Sequence, residues 1–191
     1  EGAGEIHDVY VDGHLMRGLR HLKKGESKDA LADFQAASEY PENLSVGRPK
    51  YDSRAVQVAY YTGMVYEAMG DSAKAGEFYK KAAGQKGARG GSETRFYQGL
   101  SLAKLGQKDK ADEIFDDLIK TGTQTLSEKA TEDFFAKFGE GQTAEARQAS
   151  AHYTLGLGYR GKGQDDQAKA EFAKAVQLNV SHVWAAAQLA E

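Results

Sequence analysis

The chain has 191 residues, 40% hydrophobic and 28% charged, with a net charge of −3; this balance excludes a disordered chain and a general nucleic-acid binder, which needs a basic surplus. No apolar run approaches the ~20 residues needed to cross a bilayer, so neither nucleic acid nor a membrane is an expected partner. The absence of cysteine excludes disulfides and thiolate metal sites and leaves the redox compartment open.

The chain opens on Glu1 with no apolar leader, and we expect a mature form or an excised piece of a longer protein. Its first recognisable element is "LMRGLRHLKKGESKDALADFQAASEYP", Leu15 to Pro41, two amphipathic helices hinged at Gly25. The connection "YPENLSVGRPKYDS" follows, Tyr40 to Ser53. In it Pro41 stops the preceding helix, Pro49 forces Arg48 into an extended conformation, and Ser53 is placed to cap the next helix. Asn43, Arg48 and Lys50 could reach a polar or anionic ligand from this loop; the alternative is an ordered connector packed on its neighbours.

Helix pairs are expected again over residues 56–84 and 92–120, separated by the glycine-rich "KGARGG". That loop has no strand before it and no Gly-Lys-Ser/Thr after it, so it does not read as a phosphate-binding loop. Beyond it, "TLSEKATEDFFAKFGEG" predicts an inserted helix over 126–138, with Leu126, Ala130, Phe134 and Phe138 recurring every fourth residue. A single extra helix breaks an up–down alternation, so its phenylalanine stripe is expected to dock on the body of the protein; the alternative is an apolar helix that faces a partner. A fourth pair covers 149–180, and "SHVWAAAQLA" over 181–190 predicts a cap in which Trp184 covers the last core edge.

The four pairs share one register. Counting from Gly18, Gly63, Gly99 and Gly156, the seventh residue onward is Gly25, Gly70, Gly106 and Gly163, and the twelfth is Ala30, Ala75, Ala111 and Ala168. The sixteenth is Phe34, Tyr79, Phe115 and Phe172. The anchor glycine lets two helices approach, and the second glycine suits the left-handed residue that ends a helix. The alanine sits at the crossing, and the aromatic, on the same helical face, fills the gap beside it. Ser27, Ser72 and Asp165 are candidate N-caps of the second helices.

Nothing in this pattern prepares a catalytic site. His7, His14 and His21 recur every seven residues, but that spacing separates rings by ~10 Å along a helix. The adjacent carboxylates at Asp116–Asp117, Asp165–Asp166 and Glu132–Asp133 point to different faces. No enzyme activity, bound metal or cofactor is expected.

The spacing resembles the tetratricopeptide repeat, a unit of usually 34 residues built from two antiparallel helices. The match covers roughly 11–40, 56–84, 92–120 and 149–180, although His14, Ala59, Arg95 and His152 stand where a tryptophan is common. It implies an all-α fold: a right-handed α-α superhelix of about four helix pairs, with the inserted helix and the C-terminal cap, treated as a single domain. It also implies a non-catalytic scaffold that binds a protein or peptide in a concave groove. By resemblance Leu15, Tyr60, Phe96 and Tyr153, with Leu19, Met64, Leu100 and Leu157, face that groove. They could hold a peptide helix, or sugar rings stacked on Tyr60 and Tyr153; the alternative is ordinary packing between repeats. The "PENL-VGRP" stretch also resembles large bacterial proteins that place such repeats after a β-rich region. That likeness implies an accessory module of a larger, carbohydrate-active protein, with an upstream β-rich domain as partner. Homo-oligomerisation is a third reading.

Overall fold

The glycines that end the first helices dictate the local geometry. In the computed structural model Gly25, Gly70, Gly106 and Gly163 all have φ between 72° and 81°, a left-handed conformation in which any Cβ would be strained. After each one the next backbone N–H reaches back to the first helix. Glu26 bonds to the His21 carbonyl, Asp71 to Tyr66, Gln107 to Leu102 and Gln164 to Tyr159, all at 2.9 Å. This is one helix-ending motif used four times. It also fixes the start of the following helix, which corrects the expected caps. Ser27, Ser72 and Asp165 are the first helical residues, and the cap positions fall one residue earlier at Glu26, Asp71 and Gln164. Of these three, Asp71 closes its cap with a side chain, accepting from the Lys74 N–H at 3.0 Å.

The structure describes residues 2–40, 52, 54–84, 91–132 and 144–190, the side chains of 2–6 and 128–132 excepted. Among the described residues there is no strand, and nine helices follow in order: α1 Gly2–Lys23, α2 Ser27–Ala37, α3 Ala55–Ala68, α4 Ser72–Ala83, α5 Ser92–Lys104, α6 Lys108–Glu132, α7 Ala144–Gly161, α8 Asp165–Leu178 and α9 Val183–Leu189. None of the described helices is long and apolar enough to cross a membrane. The chain divides into two compact units, Glu1–Gln107 with α1–α5 and Lys108–Glu191 with α6–α9.

In the first unit α1 packs on α2, α2 on α3, α3 on α4 and α4 on α5, while α3 also touches α5 directly. Val11, Leu15, Phe34, Val56, Val65, Phe96 and Tyr97 are fully buried. The small-against-large logic of the register is visible atom by atom. A Cβ on Gly18 would run into the Phe34 ring, and one on Gly63 would lie 2.7 Å from the Tyr79 ring. The aromatic occupies the volume that glycine leaves open.

The second unit stacks α6, α7, α8 and α9 in sequence. Phe172 lies against Gly156 as the register requires, and Phe115 lies against Gly161 of α7. Trp184 and Ala185 are buried, as expected of a terminal cover. The Arg160 guanidinium secures that cover, donating to the Gln188 carbonyl at 2.9 Å from a position 5.7 Å off the Phe172 ring centre.

One element differs from the expectation. Leu126 does not begin a helix of its own; it lies near the end of α6, which runs unbroken from Lys108 to Glu132. No proline or left-handed residue interrupts "LIKTGTQTLSEK", and its one glycine has a packing reason instead. A Cβ on Gly122 would sit 2.6 Å from Leu155 Cγ and 2.9 Å from the Ala151 carbonyl oxygen. Phe134 and Phe138 lie outside the described residues.

Candidate functional site

The first unit sets α1, α3 and α5 side by side, and the residues that link them form a coherent face. Arg54, at the N-cap of α3, reaches Asp12 of α1 and Glu93 of α5, the latter at 3.4 Å. Deeper in, Tyr97 of α5 meets α3 through two polar bonds. Tyr61 and Tyr97 hydroxyls are 2.7 Å apart, and the Gln57 amide donates to the Tyr97 hydroxyl at 3.2 Å. At the far end of the face the Lys104 ammonium donates to Glu67 at 2.8 Å, and the Tyr79 hydroxyl donates to the same carboxylate at 2.5 Å. Those two donors hold the Glu67 carboxyl below its ordinary value. Burial first, then the hydrogen bond to Glu67, pushes the Tyr79 phenol far up, so it stays a donor.

The structure divides the predicted groove residues into two sets. Leu15, Tyr60, Phe96, Tyr153 and Leu157 are buried in the cores of their units. Tyr60, at 7% exposure, is packed among Tyr61, Tyr79 and Tyr97, and Tyr153, at 5%, between Phe172 and His182. Neither ring presents a face on which a sugar could stack. Leu19, Met64 and Leu100 are half-buried. Asn43, Arg48 and Lys50 lie outside the described residues. A separate cavity of about 280 Å³ opens between α2, α3 and α4, with the stacked Tyr66–Phe78 pair on its wall.

The histidines all have partners supplied by the helix or turn that follows their own. His7 bonds the Glu39 carbonyl at 3.1 Å and stacks on Tyr40. His14 meets Asp33 at 3.0 Å, and His152 meets Glu171 at 2.5 Å. These last two pairs occupy the same two register positions in the first and fourth repeats. That recurrence was legible in the sequence but carries no meaning until the helices are paired. Arg54, Asp12 and Glu93 gave no such signal, because Arg54 follows the irregular connection.

The His–carboxylate pairs imply a pH dependence. Burial acts to raise the Asp33 carboxyl, but hydrogen bonds from Arg17 and His14 outweigh it and hold the group below 3.8. Likewise burial raises Glu171, while Lys174 and His152 bring it below 4.5. A carboxyl depressed in the folded state contributes stability that is present above its unfolded value and lost as pH falls through the folded one. The urea midpoint is therefore expected to hold down to about pH 4 and to fall steeply below it. Asp33→Asn should start lower at neutral pH and show a shallower acid decline for the first unit. An unchanged slope would remove Asp33 from this role.

One further grouping was not anticipated. The turn between α1 and α2 brings His21 together with Glu26 and Asp29, their ligand-type atoms all within 4.8 Å of one another. Histidine spacing could not reveal it, since the partners come from the far side of the Gly25 turn.

Comparison with protein families agrees with the register. Residues 93–121 match one tetratricopeptide repeat model, and residues 62–87 and 149–181 match a second. These are the second, third and fourth helix pairs, and the first pair carries the same Gly25 turn and the same Gly18–Phe34 contact. Repeats of this kind typically serve protein–protein interaction and scaffolding rather than catalysis. The chain therefore carries tetratricopeptide repeats.

Proposed function

We propose that the protein is a non-catalytic scaffold that binds a protein or peptide segment on the first-helix face of its N-terminal unit. The observation that carries this reading is the division of labour on that face. Leu15, Tyr60 and Phe96 fill the core, while Leu19, Met64 and Leu100, one from each of α1, α3 and α5, keep part of their surface accessible. The ion pairs from Arg54 and Lys104 tie these helices together, so the face is pre-organised and a partner would lose little of its binding energy to ordering it. An apolar segment flanked by charges, such as one stripe of an amphipathic helix, fits this chemistry.

A phage-displayed peptide library panned on the protein tests the proposal. Apolar-patterned peptides should be enriched and should lose at least tenfold in affinity against Met64→Glu, with the melting temperature of that variant near wild type. Equal binding to wild type and Met64→Glu would move the site elsewhere. Concentration-dependent light scattering in the absence of peptide would instead favour self-association through the same surface.

A further inference from the structure

We propose that His21, Glu26 and Asp29 form a binding site for a divalent transition-metal ion that clips the end of α1 to the start of α2. The three side chains supply one imidazole nitrogen and two carboxylates. That donor set suits zinc and its neighbours, whereas calcium and magnesium prefer oxygen alone. His21 Nδ1 lies 2.6 Å from Glu26 Oε2, and the ligand-type atoms of all three residues fall within 4.8 Å of one another. Ligands ~2.0–2.2 Å from a zinc ion sit about 3–4 Å apart. A slight outward rotation of the exposed Glu26 side chain thus opens the seat.

Two features argue that this is more than a chance meeting of surface groups. The backbone is rigid where it matters: Gly25 is held at φ 77°, and the Glu26 N–H bonds directly to the His21 carbonyl at 2.9 Å. The backbones that carry two of the three ligands are thereby fixed relative to each other before any ion arrives. Independently, the second nitrogen of His21 faces the carboxylate of Asp33, Nε2 to Oδ2 at 3.7 Å, and Asp33 is buried at 4% exposure. The contact is longer than a hydrogen bond, and Asp33 is shared with Arg17 and His14, but a carboxylate on that side of the ring brings negative charge near the non-coordinating nitrogen of a metal-bound histidine. His21 also lies in the last turn of α1, where the negative end of the helix dipole favours a cation.

The same turn in the other repeats serves as an internal comparison. At the positions of His21, Glu26 and Asp29, the second repeat has Tyr66, Asp71 and Lys74, and the fourth has Tyr159, Gln164 and Gln167. Neither set could hold such an ion. The remaining coordination positions at the first turn face solvent, open to water or to a donor from a bound partner.

Calorimetric titration of chelator-treated protein with zinc chloride at pH 7.5 tests the site. One zinc per chain is expected, with at least tenfold weaker binding of calcium and a rise in melting temperature at saturating zinc. Asp29→Asn, an exposed change that leaves the core intact, should weaken zinc at least tenfold, and His21→Gln should do the same. Absence of zinc binding would overturn the proposal. So would zinc binding undiminished in both variants, which would place the ion on another histidine, or calcium bound as tightly as zinc.

Discussion

Phe172→Ala is expected to destabilise the C-terminal unit by about 3–5 kcal/mol, the range for removing a fully buried aromatic. The residue is 0% exposed, and its ring lies over Gly156, which has no side chain to lean into the void. The cavity therefore stays open, and the cost should fall at the upper end of the range. The Arg160 guanidinium above the ring loses its support as well, loosening the α9 cover. Phe34→Ala should behave alike in the N-terminal unit, where the ring is 1% exposed against Gly18. Urea titration followed by tryptophan fluorescence reports the first variant, since Trp184 is the one tryptophan and lies on α9. Far-ultraviolet dichroism reports the second. A loss below about 1 kcal/mol in both would contradict the pairing of each aromatic with its anchor glycine.

Gly158→Val is expected to cost about 3 kcal/mol, at the upper end for overpacking. Among the described residues most such clashes are between a hypothetical Cβ and a ring, and a ring can tilt. At Gly158 the obstacles include backbone: the Phe115 carbonyl oxygen at 2.9 Å and the Ile119 nitrogen at 3.0 Å. Relief then requires α6 and α7 to separate along their length. Gly76→Ala provides the opposing measurement, since nothing lies within 4 Å of a Cβ there and α4 surrounds it. Replacing glycine by alanine in an open helical position should stabilise by about 0.5–1 kcal/mol. Thermal unfolding that moved in the same direction for both variants would show that helix propensity, not the crossing, governs these positions.

Local chemistry was readable from the sequence because it repeats. Gly25, Gly70, Gly106 and Gly163 announced four helix ends, since a left-handed residue at fixed spacing has few other uses, and the aromatic sixteen residues after each anchor announced a core. Those inferences depend on backbone sterics and on helical periodicity, both of which act within a single hairpin. The caps of three second helices, assigned to Ser27, Ser72 and Asp165, were misplaced by one residue because capping propensity was weighed without the turn that fixes the register. Leu126 was assigned to a new helix because its four-residue stripe restarts there, although nothing in the chain between Leu118 and Leu126 stops α6.

Tertiary packing decided the rest. Tyr60 and Tyr153 carry the same pattern whether they face a groove or a core, and only the neighbouring helices make them core residues. Gly122, Gly158 and Gly161 fall outside the register, and their meaning appears only where α6 and α7 come within contact of each other's backbone. The meeting of His21 with Glu26 and Asp29, and of Arg54 with Asp12 and Glu93, likewise depends on how turns and helix ends are brought together in space. The sequence by itself determined which segments are helices and where most of them end, because those choices are governed by neighbours along the chain. Which faces are buried, and which polar groups meet, was decided by contacts between residues distant in sequence, where periodicity carries no information.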